Sequence, residues 1–572
     1  MCGPTNNPAY ADCDGSASFS FHHHIGDGEG LLFPSSMSLE QQPKSLRRRS
    51  LNILLQVPIL SRSHAPLTIS APQAIATLPA DIILEIASLL WRDDLLNLSL
   101  TSSYLRAPLM PALYDTVVLT SSRTCRKTLK MLQQRPEVCR YIHKLAVRPN
   151  YYLAWPKADE RIDENWVAST VESIAQSLTT MHTFDWDGLE MPKDSLWQTL
   201  RLSCPQLRTV YSNVGHLPLD PESELFSFRN LKSFSLTVRH GLGGSELFPS
   251  MEALPERMWD MLLNHTPDLE ELSLCSFSTS ARLFDVTPVT TGNWPKLATL
   301  TLGSFGYQDD FTLSPPNDIT FGNFLSSHST LNYIRFAWNF KQWLSPDNVS
   351  TFLGSDALPK LATYIGIYQQ LAELPHPESI TSLDLTCEPL YDSRMPMICP
   401  ILRTLTSLTS LDIWMHIPDD APSSDCEFIR PILLSCPKLT EFHFMCTTAF
   451  RVRHLSAMLG LLPALKTFSV TKGHRYGERE KMRDTAVGVV RHNPGLSQVN
   501  VRWARERCRN HLKQEGTYDV IKGNDGGQVE RLGVYERGVT AWGAIFKRRY
   551  VYEVKEPRNV GLGSIVQAVS RR

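Results

Sequence analysis

The sequence predicts an α/β chain: a short module of three helices, then a solenoid of about 12 to 13 degenerate strand–helix units. Three observations carry that expectation. A segment of the form anchor-x-x-apolar-x-apolar recurs along most of the chain. One stretch, Thr77 to Leu119, packs leucines and isoleucines at helical spacing more densely than an ordinary surface helix needs. The 572 residues exceed the length at which a single globular core keeps growing, so the chain must divide or extend as an array.

Composition narrows the class. Hydrophobic residues make up 42 % and charged residues 20 %, as in a folded, water-exposed protein, and 57 basic against 58 acidic residues leave a net charge of -1. That balance argues against nucleic acid or a membrane as the main partner. The apolar run Leu51 to Leu60 is half of the roughly 20 residues that span a bilayer. The first residues carry no basic segment ahead of an apolar one, so a cytoplasmic or nuclear location is expected. The 12 cysteines are scattered without a Cys-x-x-Cys pair, which favours buried thiols in a reducing compartment over zinc ligation. Cys204 and Cys436 stand in matching Ser-Cys-Pro turns, which points to a repeated structural role.

Residues 1–74 are rich in Gly, Ser, Pro, Asn and Gln, without sustained apolar period, and are expected to be disordered. His22, His23 and His24 lack acidic or thiol neighbours and make a poor metal site; Arg47, Arg48 and Arg49 form a charge cluster beside the Leu51 run.

Residues 75–119 form the helical module. Thr77 is placed to cap a first helix, Ala80 to about Leu90, with Pro79 in its first turn. Ile82, Ile83, Ile86, Leu89 and Leu90 make a broad apolar stripe on it. A second helix starts at Asp93 or Asp94 and carries Leu95, Leu96, Leu98 and Leu100. A third segment, Ser102 to Leu113, contains Pro108 and Pro111 and is expected to kink or end early. Three short helices in about 40 residues cannot cover this much aliphatic surface among themselves, so a partner is required.

On these residues the segment resembles an F-box: Leu78-Pro79, Ile82-Ile83, Ile86, Leu89-Leu90, Asp94-Leu95, then LSLTSSYLRAPLMPALY, with a tail similar to that of fungal F-box proteins. Trp91-Arg92-Asp93 departs from the pattern by altering the turn between the first two helices. The resemblance implies binding to the Skp adaptor of cullin-RING ubiquitin ligases, with Leu78, Pro79, Ile82, Ile83, Ile86, Leu89, Leu90, Leu95 and Leu98 as the adaptor-facing set.

Residues 120–501 form the array. The repeated segment is clearest in CPQLRTVYS, FRNLKSFSL, TPDLEELSL, WPKLATLTL, CPKLTEFHF, LPALKTFSV and NPGLSQVNV. Anchors fall at Ile142, Met181, Leu207, Leu231, Leu269, Leu297, Leu331, Leu361, Ile380, Leu408, Leu439, Leu465 and Leu496, with gaps of 19 to 39 residues. Each segment alternates as a one-face-buried strand does. Helical stretches lie between, such as Asp163 to Leu178, and many end at a Pro that stops the helix and presets an extended approach to the strand. Units that cannot bury their own faces gain a core by stacking. In their LxxLxL segments they resemble leucine-rich repeats, although the Asn expected shortly after each strand is mostly missing; an open βαβ sheet is the alternative.

In such an array the polar positions between strand leucines face a partner. Tyr211, Arg335, Asp384, Asp412 and His443 stand four residues after their anchors, as does Asp185, with Asp187, Trp338 and Trp414 further along. Aromatic and arginine side chains dominate interface energy, so these become the target-binding candidates.

Residues 502–572 are expected to cap the solenoid, with a helix from Arg505 to Lys513, a β-hairpin from QVERLGVYERG and IFKRRYVYEV, and a flexible tail. Arg502, Arg505, Arg507, Arg509, Lys547, Arg548 and Arg549 make this end basic, but interspersed glutamates favour a cap over an anion-binding patch. No P-loop, Gly-x-Ser-x-Gly or zinc-protease helix is present, and no cofactor or metal is expected. The expected function is therefore that of a non-catalytic subunit: the substrate receptor of a Skp-cullin-F-box ligase, or else an adaptor-bound scaffold without ubiquitination.

Overall fold

The computed structural model describes residues 78–90, 92–150, 161–238, 252–276, 284–285, 287–304, 318–336, 353–416, 429–446, 450, 452–474, 480–505, 514–523, 529–539 and 545–554. The expectations for residues 1–74, Thr77, Trp338, the stretch 506–513 and the tail beyond 554 lie outside these residues.

Three helices open the described chain: α1 (Ala80–Leu89), α2 (Arg92–Thr101) and α3 (Ser103–Tyr114). Pro79 precedes α1 rather than lying in its first turn, and its carbonyl accepts the Ile83 amide at 3.1 Å. Ser102 caps α3 by accepting the Tyr104 amide. Contrary to expectation, α3 runs through both Pro108 and Pro111. The carbonyls these prolines leave without a helical donor belong to Tyr104 and Ala107, both at exposed positions where water can serve them, while Leu105 and Leu109 hold the opposite side in the bundle.

The rest is a mixed α/β, solenoid-like body built on one 17-stranded, mostly parallel sheet. Its strands are β1 (Thr116–Leu119), β2 (Lys144–Val147), β3 (Thr183–Trp186), β4 (Thr209–Val214), β5 (Ser233–Val238), β7 (Glu271–Ser276), β9 (Thr299–Ser304), β10 (Tyr333–Phe336), β11 (Thr363–Ile365), β12 (Ser382–Leu390), β13 (Ser410–Met415), β14 (Glu441–Cys446), β15 (Thr467–His474), β16 (Gln498–Arg505), β17 (Gln514–Lys522), β18 (Val529–Val539) and β19 (Ile545–Glu553). The short β6 (Glu252–Ala253) and β8 (Phe284–Asp285) pair separately. From β1 to β16 each main-sheet strand pairs in parallel with the next along the chain. The last three add on antiparallel. Residues 116–119 thus belong to the sheet rather than to the helical module.

All 13 anchors stand two residues ahead of a parallel strand, and none exceeds 3 % exposure. In 12 of the 13 the anchor amide donates to the carbonyl three residues earlier, at 2.9–3.3 Å, closing a tight turn. This refines the role of the prolines. Pro205, Pro267, Pro295, Pro359, Pro437, Pro463 and Pro494 occupy the second position of that turn, where a φ near −65° is required and no N–H is used. The exception, Leu231, follows Asn230, whose φ of 56° places it in the left-handed region that asparagine tolerates.

The residue after each anchor but the last links the units. Its carbonyl accepts two successive amides from the following unit: Thr440 takes those of Lys466 and Thr467 at 2.7 and 2.9 Å, and Lys466 takes those of Ser497 and Gln498 at 2.8 and 3.1 Å. The same doubly accepting carbonyl precedes every main-sheet strand from β1 to β15, beginning at Asp115, directly after α3, and ending at Lys466.

Helices cover one face of the sheet. Among them α4 (Ser122–Gln134), α5 (Glu164–Ile174) and α6 (Asp194–Ser203) stand early, and α7 (Met482–His492) backs the last parallel strands. Asp163 caps α5, whose Val167, Ala168, Val171 and Ile174 are buried. The resulting core is continuous from Val117 to Val534. It contains His328, 1 % exposed: its Nδ1 donates to the Phe324 carbonyl at 2.7 Å, and its Nε2 accepts the Trp294 amide at 3.1 Å. Asn150, three residues past β2, meets both backbone polar groups of Ile162, and Asn213, near the end of β4, does the same for Gly188.

The Cys204 and Cys436 carbonyls accept the anchor amides of Leu207 and Leu439, confirming a shared turn role for the two Ser-Cys-Pro sites. Burial pushes both thiols up to about 12, so they are poor nucleophiles at neutral pH. The 8 cysteines of the described residues are all free, and no described helix is long and apolar enough to cross a membrane.

Two outcomes test this fold. Leu411→Ala, at a fully buried strand position, should cost about 2–5 kcal/mol in urea unfolding. Burial lowers the pKa of His328, so the unfolded state binds the proton first as pH falls. Stability should drop as pH passes below about 6.5, and His328→Gln should flatten the difference between urea midpoints at pH 7.5 and 5.5.

Candidate docking surfaces

The helical module has its own small core of Ile83, Ala87, Leu95, Leu105 and Leu109, distinct from the core of the array. On α1 the predicted stripe divides. Ile83 and Ala87 turn inward, while Ile82 is exposed and Ile86 and Leu89 are half-buried. On α2, Leu95 is buried and Leu98 half-buried, whereas Leu96 and Leu100 point outward. Ile83 and Leu95, both expected in the adaptor-facing set, pack in the module's own core and hold the helices together. Leu78 and Leu90 pack partly against the same small core, and Pro79 is exposed. The Leu78 carbonyl accepts the Tyr104 hydroxyl at 3.3 Å, tying the chain ahead of α1 to α3.

Outside this core the module leaves Ile82 at 44 %, Leu84 at 38 %, Leu96 at 48 %, Leu100 at 71 % and Tyr104 at 51 % exposure. These are 5 of the 13 large apolar side chains exposed among the described residues, gathered in a module of under 40 residues. Sequence reading missed Leu84, Leu96, Leu100 and Tyr104 as surface candidates, because helical period alone does not say which side of a short bundle faces inward. Met110 and Tyr114 on α3 pack against the array core, so the module is anchored to the sheet by the end that leads into β1.

The second surface is the sheet face opposite the helices. Strand register aligns the fourth residue after each anchor into one row: Ala146, Asp185, Tyr211, Ser235, Ser273, Thr301, Arg335, Ile365, Asp384, Asp412, His443, Ser469 and Asn500. Five target-binding candidates, Tyr211, Arg335, Asp384, Asp412 and His443, lie in this row. Trp414 stands two residues beyond Asp412 on β13, half-buried, its indole N–H without a partner among the described residues.

Charge along the row is segregated. At one end Arg148 bonds Asp185 at 3.1 Å and approaches Asp187 at 3.7 Å. The Tyr211 hydroxyl reaches across β5 to donate to Glu271 at 2.8 Å. Burial raises the pKa of both partners, and the carboxylate reinforces the shift of the phenol. Further along, Asp384 and Asp412 are direct register neighbours. Burial and then the Asp412 charge hold the Asp384 carboxyl above the usual range, against the opposing pull of its Thr386 hydrogen bonds and Arg335. Burial and Asp412 also raise Glu441. His443 Nε2 meets the Thr471 hydroxyl at 3.0 Å, with its Nδ1 3.8 Å from Asp412.

These groups are spread along strands instead of converging on one point. Among the described residues no group of three His, Cys, Asp or Glu side chains is arranged to hold a metal ion. Glu271 and Glu441 escaped the sequence reading because they occupy the first strand position, where small Ser and Thr residues dominate elsewhere.

Neither a family model nor a curated protein matches the chain. Among solved structures it is similar to a chain in the crystal structure of the Rad7 and Elc1 complex in yeast, with a TM-score of 0.32 and 12 % identity, covering 77 % of this chain and 94 % of that one. A likeness of that size carries no inference about function.

The crowding of Asp384 against Asp412 has a measurable sign. A carboxyl whose pKa is raised by folding costs stability once it is charged. Asp384→Asn keeps the oxygen that accepts from Thr386, so it should raise the urea midpoint at pH 7, with the gain shrinking toward the unfolded aspartate value of about 3.9.

Proposed function

We propose that this chain is the substrate-recognition subunit of a Skp-cullin-F-box-type ubiquitin ligase, with α1–α3 as its F-box and the array as leucine-rich repeats that hold a target protein. The observation that carries the reading is the apolar excess of the helical module. It has a small, complete core of its own, yet leaves Ile82, Leu84, Leu96, Leu100 and Tyr104 in water. An apolar patch of this kind on a small module marks a protein-interaction site. Its position matters too, because α3 passes directly into β1, so whatever holds the module also holds the array.

In this reading the apolar ridge of Ile82, Ile86 and Leu89, flanked by Leu78 and Pro79 and by Leu96 and Leu100 of α2, enters the adaptor. The open sheet face engages the target. The chain performs no bond-making step of its own: it brings a bound target to the ubiquitin-loaded enzyme at high effective concentration. The half-buried Tyr211, Arg335 and Trp414 are the target contacts expected to carry most energy.

Co-expression with a Skp-type adaptor tests the proposal. The wild-type chain should co-purify with the adaptor, and Ile82→Asp together with Leu100→Asp should weaken that association at least tenfold while leaving the unfolding midpoint of the array in place. Ile83→Ala, by contrast, should lose stability of the module itself. A wild-type chain that does not retain the adaptor would sink the reading, and ubiquitination of a captured target in the reconstituted ligase separates a receptor from a scaffold.

A further inference from the structure

The three antiparallel strands at the end of the sheet have two faces with different occupations. One face continues the core: Tyr518, Leu532 and Val534 are buried, Tyr550 and Tyr552 pack against them, and the Tyr518 hydroxyl donates to the buried Glu536 at 2.8 Å. Arg483 of α7 lies over the Tyr552 ring at 4.5 Å, closing that side. This is the structural cap expected from the sequence, with one strand more than the predicted hairpin, since residues 514–522 form β17.

The other face continues the open row. Asn500 of the row is followed in register by Thr517, Tyr535 and Arg549, and the adjacent row reads Arg502, Glu515, Arg537 and Lys547. Glu515 is shared: Arg502 stands 3.5 Å from one of its oxygens and Arg537 contacts the other. Both guanidinium-bearing side chains keep about half their surface in water, at 45 % and 57 % exposure. Arg549 is exposed and unpaired among the described residues, and Tyr535 and Val551 are exposed beside it. Three arginines stand against Glu515 and, in the row that carries Val551, Asp519, which leaves one positive charge uncompensated on this patch.

We propose that this patch is a subsite for a carboxylate-rich, unmodified segment of a protein partner, lying along the open face where the solenoid ends. The proposal deepens the reading of the array as the target-holding body and rests on it. Glu515 shows the chemistry: one carboxylate is already gripped between two guanidiniums from different strands. A second carboxylate from a partner can pair with Arg549 and with the outward edge of Arg537, while Tyr535 and Val551 supply apolar contact for the stems. The acidic middle of the row, around Asp384, Asp412 and Glu441, repels such a segment and confines it to this end.

The test uses the full chain and labelled 12-residue peptides followed by fluorescence anisotropy: one rich in Glu and Asp, one rich in Lys, and one neutral except for a phosphoserine. The acidic peptide should bind, with affinity falling as salt rises. Arg549→Gln should weaken it at least fivefold and Arg537→Gln with Arg549→Gln at least tenfold, with an unchanged thermal midpoint for the single variant. Adaptor co-purification should be the same for the wild type and both variants, so a wild-type chain that retains the adaptor but does not bind the acidic peptide overturns the subsite alone. Equal binding of the Lys-rich peptide, wild-type affinity in Arg549→Gln, or binding of the phosphoserine peptide alone would overturn the proposal.

Discussion

The array depends on one backbone arrangement: a carbonyl just ahead of each main-sheet strand from β1 to β15 that accepts two amides from the next unit. A carbonyl oxygen has two lone pairs, and using both at one point fixes the position and direction of the incoming strand together. Thirteen consecutive uses of this device, from Asp115 to Lys466, set the register that turns scattered side chains into a row. The anchor's own turn and its burial hold that carbonyl in place, so the apolar anchors and the backbone link act as one element. Removing either partner leaves a strand without a defined start.

From that constraint follows a division between the two parts of the chain. The array shares one continuous core, and each unit is completed by the next until the antiparallel strands close the end. The helical module has no such neighbour on its outer side. It meets the array only through the α3 end, where Met110 and Tyr114 reach the main core, and its remaining apolar surface faces water. Stability in the array is thus shared along the whole sheet, while the module rests on its own small core and on the contact made by the end of α3.

Much of the fold was legible in the sequence because its signal is repetitive. Every anchor from Ile142 to Leu496 leads into a parallel strand, since a leucine that must fill the same slot in each unit leaves a pattern even when the rest of the unit drifts. The candidate surfaces were legible in part. The alternation of strands placed Tyr211, Arg335, Asp384, Asp412 and His443 on one face, because a period of two admits no other choice once the leucines are inside. Helical period could not do the same for α1 and α2. Ile82 and Ile83 are neighbours in sequence with equal hydrophobicity, and only packing against α3 decides that one is buried and the other exposed. Similarly, Pro108 and Pro111 suggested a broken helix, yet the helix persists because its apolar side is held by the bundle. Strand β17 was missed because its sequence, QEGTYDVIK, alternates weakly and shows its pattern only beside β16 and β18.

The central claim is that the array is complete by itself while α1 and α2 await a partner. Amide hydrogen exchange of the full chain, alone and with a Skp-type adaptor, addresses it directly. Alone, the amides of β4 to β16 should exchange slowly and those of residues 80–101 much faster; with the adaptor, new protection should appear in residues 80–101 and leave the array unchanged. Slow exchange of residues 80–101 in the isolated chain, or adaptor-induced protection that falls on the sheet instead, would contradict the account.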